Sequence, residues 1–126
     1  MNPKIWGPSL WASLIYIVLN YPNNPSSTEQ ETYRVYLENL GGVLPCNVCK
    51  NHYQKNFPIH PPQLENATKL MAWLVELHNR CNPKSKYTRE QFINRYTPNC
   101  QDKVHSNKSK HDPVKRVSRP PKKRTL

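Results

Sequence analysis

The sequence predicts an all-α fold followed by a basic tail. Apolar residues recur at helical spacing in several segments and nowhere alternate convincingly with period two. Capping residues and prolines punctuate those segments. Lys and Arg crowd the C-terminal end. Residues 1–100 form the expected single domain and 101–126 the tail.

Pro8 suits the first turn of a first helix, where a missing N–H costs nothing. Trp11, Leu14, Ile15, Ile17 and Val18 give that helix a wide apolar surface to about Leu19. Tyr21-Pro-Asn-Asn-Pro25 is a loop whose prolines stop it. Ser26 with Glu29, or Ser27 with Gln30, makes a capping box for a second helix. That helix carries Tyr33, Tyr36, Leu37 and Leu40 and ends at Gly41-Gly42. A third begins near Pro45 or Cys46 and runs to about Asn56, and Pro58, Pro61 and Pro62 mark the loop after it. Asn66 has N-cap chemistry for a fourth helix, with Leu70, Trp73, Leu74 and Leu77 on one side and Asn82-Pro83 closing it. Thr88 with Gln91 caps a short fifth, Arg89–Tyr96.

Composition excludes several classes. With 3 glycines and no GxGxxG or GxxxxGK[ST] pattern, a glycine-rich phosphate loop is absent, so any nucleotide must be held by side chains and helix surfaces. The longest apolar stretch, Trp11 to Leu19, is broken by Ser13 and falls well short of the about 20 residues a spanning helix needs. It also makes a poor signal peptide, with one preceding lysine and no small-residue cleavage site after it. The expected location is therefore intracellular and non-secretory. In such a compartment four cysteines point to metal binding or catalysis rather than to a disulfide framework.

The formal charge of +11 is uneven. From Gln101 onward there are nine Lys/Arg against two Asp, a net of +7, and the preceding residues hold ten against six Glu, a net of +4. The stretch Lys103–Leu126 has no aromatic residue and no apolar period, which predicts disorder. Its Arg119-Pro-Pro-Lys-Lys-Arg124 run suits nuclear targeting or contact with nucleic acid and other polyanions, and equally suits a solubilising tail.

Cys46 and Cys49 stand three apart, a spacing that places both sulfurs on one face of a helix. At a helix start, a thiolate is favoured by the dipole and by unpaired N–H groups, with Lys50 adding charge nearby, so the thiol attacks and leaves readily. The same residues have another reading. Cys46-x2-Cys49 with His78-x2-Cys81 has the spacing of a Cys3His zinc site, and a zinc-stabilised nucleic-acid-binding module would use the basic tail. Spacing alone leaves both open. Helical context, and the aromatic and amide residues around the pairs, favour redox chemistry without metal.

Three motifs decide further. Gly7-Pro8-Ser9-Leu10-Trp11-Ala12-Ser13-Leu14-Ile15 is followed by Pro45-Cys46-Asn47-Val48-Cys49-Lys50-Asn51-His52-Tyr53, and then by Trp73 five residues before His78-Asn79-Arg80-Cys81-Asn82. In order and spacing, across roughly residues 6–97, this chain resembles the Erv/ALR family of flavin-dependent sulfhydryl oxidases, including short forms carried by large DNA viruses. It departs from the family pattern at Pro8 and Ile15, which replace an arginine and a histidine, and at Cys81, which replaces a valine.

The resemblance implies a bundle of four helices plus a short fifth, with FAD wedged between helices, usually in a homodimer. It implies an enzyme that oxidises thiol-containing protein substrates through the Cys46–Cys49 disulfide and passes electrons through FAD to molecular oxygen, giving hydrogen peroxide. Cys46 would meet substrate and Cys49 would face the flavin. Gly7, Trp11, His52, Tyr53, Trp73 and His78 would pack the cofactor. Asn79, Asn82, Lys84, Lys86 and Tyr87 would hold its ribose and pyrophosphate end. Relatives often close the C-terminal segment with a structural disulfide, a role the resemblance offers to Cys81 and Cys100, and the alternative is Cys81 as a buried thiol in the valine's place.

Overall fold

The computed structural model describes residues 1–98. Five α-helices and one 3₁₀ turn make up this part, with no strand among the described residues: α1 Pro3–Leu19, α2 Ser27–Leu40, a 3₁₀ turn Gly41–Val43, α3 Asn47–Asn56, α4 Ala67–Cys81 and α5 Arg89–Tyr96. The expected tail, and Cys100 with it, lies outside the described residues.

Three of the five helix starts follow the capping chemistry read from the sequence, and α3 starts at the expected place. Ser26 and Glu29 form a reciprocal capping box at α2, as do Thr88 and Gln91 at α5. Asn66 caps α4 through Lys69 N–H at 2.9 Å. Cys46 caps α3. The start of α1 differs from expectation. It lies five residues earlier, because Asn2 Oδ1 accepts from Lys4 N–H and Pro3 occupies the first helical position. Pro8 therefore sits inside the helix, where its missing donor forfeits one backbone bond.

The core is shared by all helices but one. Leu14, Ile15 and Val18 of α1 meet Leu70, Met71 and Leu74 of α4 and Phe92 and Ile93 of α5, with Leu37 and Leu40 closing from α2. Tyr21, in the loop after α1, packs edge-on to Tyr33 and donates its hydroxyl to Leu64 O at 2.7 Å, tying that loop to the segment before α4. The exception is α3, which lies against the 3₁₀ turn and buries none of its residues completely.

Phe92 is fully buried and meets the Trp11 ring edge-on at 5.8 Å, so it pins α5 to α1. Replacing Phe92 with Ala is expected to cost about 3–5 kcal/mol, read as the urea unfolding free energy of the purified chain. A loss under roughly 1 kcal/mol would mean α5 is not part of the cooperative core.

Candidate active site

The dithiol sits where the sequence placed it, with Cys46 at the N-cap rather than within the first turn. Its backbone is extended, and its sulfur accepts from Cys49 N–H at 3.4 Å. Both cysteines are half-buried. The two sulfurs are not equivalent. Cys46 is held below the ordinary thiol range, first by hydrogen bonding with the Cys49 side chain and then by Cys49 N–H. Cys49 packs against the core and is pushed up to about 11, first by burial and then by the Cys46 sulfur beside it. Of the reduced pair, Cys46 is therefore the thiol that loses its proton first and Cys49 the one that keeps it longer.

On the same face of α3, Tyr53 and Phe57 follow Cys49 at four-residue steps, and all three pack on the core. Tyr53 and Phe57 stack at 5.9 Å, and Phe57 meets Trp73 of α4 at 6.4 Å. The Trp73 indole N–H is spent on His60 O at 2.8 Å, and the residue borders a cleft of about 300 Å³ with Ile59, His60, Lys69 and Glu76. The structure thus gives Trp73 to the α3–α4 connection and does not bring it to the His78 group. His52 is exposed on α3.

A second cluster forms around His78, which is 1% exposed. Its ring stacks on Tyr87 at 5.1 Å and receives the edge of Trp11 at 5.0 Å, with Phe92 and Tyr96 closing the remaining sides. Nδ1 lies 3.1 Å from Asn79 Oδ1 and Nε2 lies 3.1 Å from the Tyr96 hydroxyl. Asn79 is oriented independently: its Oδ1 accepts from Tyr87 N–H and its Nδ2 donates to Tyr87 O, each at 2.9 Å. Facing an acceptor, Nδ1 must carry the proton, and Nε2 accepts from Tyr96. Burial lowers the pKa of His78, so the imidazole is neutral.

Asn82 Nδ2 donates to His78 O and closes the end of α4. Lys84 and Lys86 are exposed on the loop that Asn79 and Tyr87 clamp. Gly7 is itself buried, yet a Cβ built there would meet nothing within 4 Å. Open space therefore lies against the backbone of α1 one turn before Trp11, and a flat ring can approach it there. The sequence reading missed Tyr96 as a polar partner. Its position three residues after Ile93, on the docking face of α5, was the available signal.

Two alternatives that the sequence left open are not met. Cys81 is exposed, not buried in place of a valine, because it is the last residue of α4 and the chain leaves the helix at Asn82. Its pairing with Cys100 lies outside the described residues. Nor do Cys46, Cys49, His78 and Cys81 converge: both His78 nitrogens are engaged within the protein, and no group of three metal-type ligands forms among the described residues.

A reactive dithiol at a helix start, on a small five-helix fold, defines a helical thiol–disulfide protein. The profile of the Erv1 / Alr family matches residues 8–101, and the chain belongs to that family. It is similar to the FAD-linked sulfhydryl oxidase erv2 of Schizosaccharomyces pombe, at 32% identity over 74 residues that cover 59% of this chain and 38% of that protein. The mitochondrial FAD-linked sulfhydryl oxidase ERV1 of Saccharomyces cerevisiae matches at 30%, covering 62% of this chain and 41% of the relative. The chain thus spans about two fifths of these fungal relatives. Protein 347L of invertebrate iridescent virus 6, ascribed the same activity, matches at 28% and is covered to 80% of its length. Among solved structures, the FAD binding domain of Saccharomyces cerevisiae Erv1 superposes with a TM-score of 0.70 at 26% identity, covering 78% of this chain and 96% of that one.

Iodoacetamide is expected to label Cys46 well before Cys49 in the reduced protein at neutral pH, as followed by peptide mass spectrometry. The reverse order would contradict the assignment of the thiolate.

The neutral His78 predicts an acid-side instability. Its folded pKa lies below the unfolded value of 6.5, so its contribution is complete above that value and is lost as pH falls through the folded one. Thermal midpoints should decline below about pH 6.5, and His78→Phe should flatten that slope. An equal slope in both proteins would exclude His78 as its source.

Proposed function

We propose that this protein is an FAD-linked thiol oxidase that makes disulfides in protein substrates, with oxygen as the final acceptor. The observation that carries the reading is the asymmetric dithiol: Cys46, the more acidic thiol, caps the helix, and Cys49, the less acidic one, packs on the core. The fit for flavin rests on the open space beside Gly7, the aromatic walls of Trp11 and Tyr87, and the Asn82, Lys84 and Lys86 loop, whose donors and charges suit a diphosphate. Bound there, FAD supplies a two-electron acceptor that oxygen regenerates with release of hydrogen peroxide.

The protein's own part is thiol–disulfide exchange. In the oxidised pair, a substrate thiolate attacks the Cys46 sulfur, which lies off the core, and Cys49 leaves as the thiolate. While Cys46 is held in the mixed disulfide, its charge no longer opposes that of Cys49, so Cys49 leaves more readily than in the free dithiol. The second substrate thiol then closes on its partner and releases Cys46. One substrate disulfide has formed and the Cys46–Cys49 disulfide has become a dithiol, so two electrons have entered the protein.

Ile5, Tyr16 and Leu19 on α1, with Val35 and Tyr36 on α2, remain exposed, and a second copy of the chain is the occupant assigned to them. The viral relative suits a setting outside the secretory route, in the host cytoplasm or a viral factory, where the basic C-terminal residues would contact polyanions. Among the described residues no helix is long and apolar enough to cross a membrane.

Oxygen uptake with a small dithiol tests the proposal. The purified protein should be yellow and consume oxygen. Cys46→Ser and Cys49→Ser should each fall to background while retaining flavin. A colourless protein, or a Cys49→Ser variant turning over at the parental rate, would refute it.

A further inference from the structure

The redox helix is moored lightly. Ten residues are too few for an isolated helix to persist in water, so α3 takes its orientation from what it docks on. It docks through one stripe, Cys49, Tyr53 and Phe57, of which none is fully buried. Tyr53 stands one turn from Cys49 on the same face of α3.

That seat is specific. The Tyr53 hydroxyl donates to Leu37 O, a carbonyl in the last turn of α2. The Gly41 N–H turns instead to Asn39 O, so the helix ladder does not claim the Leu37 carbonyl through Gly41. The Tyr53 ring lies directly on Gly41: a Cβ there would come within 2.6 Å of Cδ1 and 3.2 Å of Cε1, and within 3.2 Å of Gln54 Cγ. Gly41 has φ −56° and ψ −32°, values open to any residue. Its lack of a side chain therefore serves the approach of Tyr53, not a backbone conformation. Resemblance had offered Tyr53 as a wall for the cofactor, but its hydroxyl and one ring face are committed to α2 and the 3₁₀ turn.

We propose that Gly41 and Tyr53 are positioning residues for electron transfer out of the dithiol. Their contact fixes the Cys49 sulfur relative to the electron acceptor and leaves the encounter of Cys46 with substrate unaffected. The inference rests on the reading of the protein as an FAD-linked thiol oxidase.

The test uses the full-length, flavin-loaded protein and two substitutions. Gly41→Ala displaces the ring, whereas Tyr53→Phe removes only the hydroxyl and keeps the fold if the first does not. Three quantities are followed: the anaerobic rate of flavin bleaching by a small dithiol, kcat and KM for oxygen uptake, and the pH-dependent alkylation of Cys46. Flavin bleaching and kcat should fall by roughly tenfold or more in Gly41→Ala and by less in Tyr53→Phe. KM and Cys46 alkylation should stay at parental values, a split that general loosening of the fold would not produce. If both variants bleach flavin at the parental rate, or if the loss appears equally in Cys46 alkylation, the positioning role is overturned while the oxidase reading stands. A parental protein with no flavin and no turnover overturns both.

Discussion

A neutral imidazole buried where α1, α4, α5 and the loop after α4 meet is the constraint on which this half of the molecule depends. An imidazole in that position is tolerated only if both nitrogens find partners, and a charged one would be more costly still. His78 meets the first condition through Asn79 and Tyr96, and Asn79 is fixed in turn by the two backbone groups of Tyr87. The tautomer, the loop and the packing of Trp11 and Tyr87 follow from one another. The side of the molecule assigned to the cofactor is therefore built around a satisfied polar network inside an aromatic cage. The side that carries the dithiol is not: α3 rests on the bundle through three half-buried side chains.

That contrast accounts for how the thiols differ. Cys49 faces the core and holds its proton longer, whereas Cys46 caps the helix and gives its proton up first. The Cys49 thiol and the Cys49 and Val48 N–H groups favour charge on Cys46, with the N-terminal ammonium adding to them, while burial opposes charge on Cys49. Two chemically identical groups are thereby separated, and each sulfur is suited to one half of a transfer.

Much of this was legible in the chain. Ser26 with Glu29, Asn66, and Thr88 with Gln91 each announce a helix start by local chemistry alone, and the ends of α2, α3 and α5 fall where glycine, proline and spacing placed them. The motif residues around Cys46 and His78 were also visible. What was not legible depends on neighbours distant in sequence. Pro8 reads as a helix start until Asn2 and Pro3 take that role. Trp73 and His78 share a motif but point to different partners, because a five-residue step turns them well apart around α4. Cys81 is exposed because α4 ends at it, although its spacing from Leu74 and His78 puts it on their face. Gly41 is the clearest case. It has ordinary dihedrals and stands at a helix end, where glycine is common, so only the ring of a residue twelve positions later explains it.

The cap on α3 is made of an atom that changes its chemistry. As a thiolate, the Cys46 sulfur is a charged acceptor for Cys49 N–H, and such bonds are about twice as strong as neutral ones. In a disulfide the same sulfur is neutral and a weak acceptor, so the first turn of the helix loses its best cap whenever the pair is oxidised. The turn that a hydrogen bond to one sulfur holds in the reduced chain is therefore held by a covalent bond between the two sulfurs in the oxidised one, and α3 keeps its start in both redox states by different means.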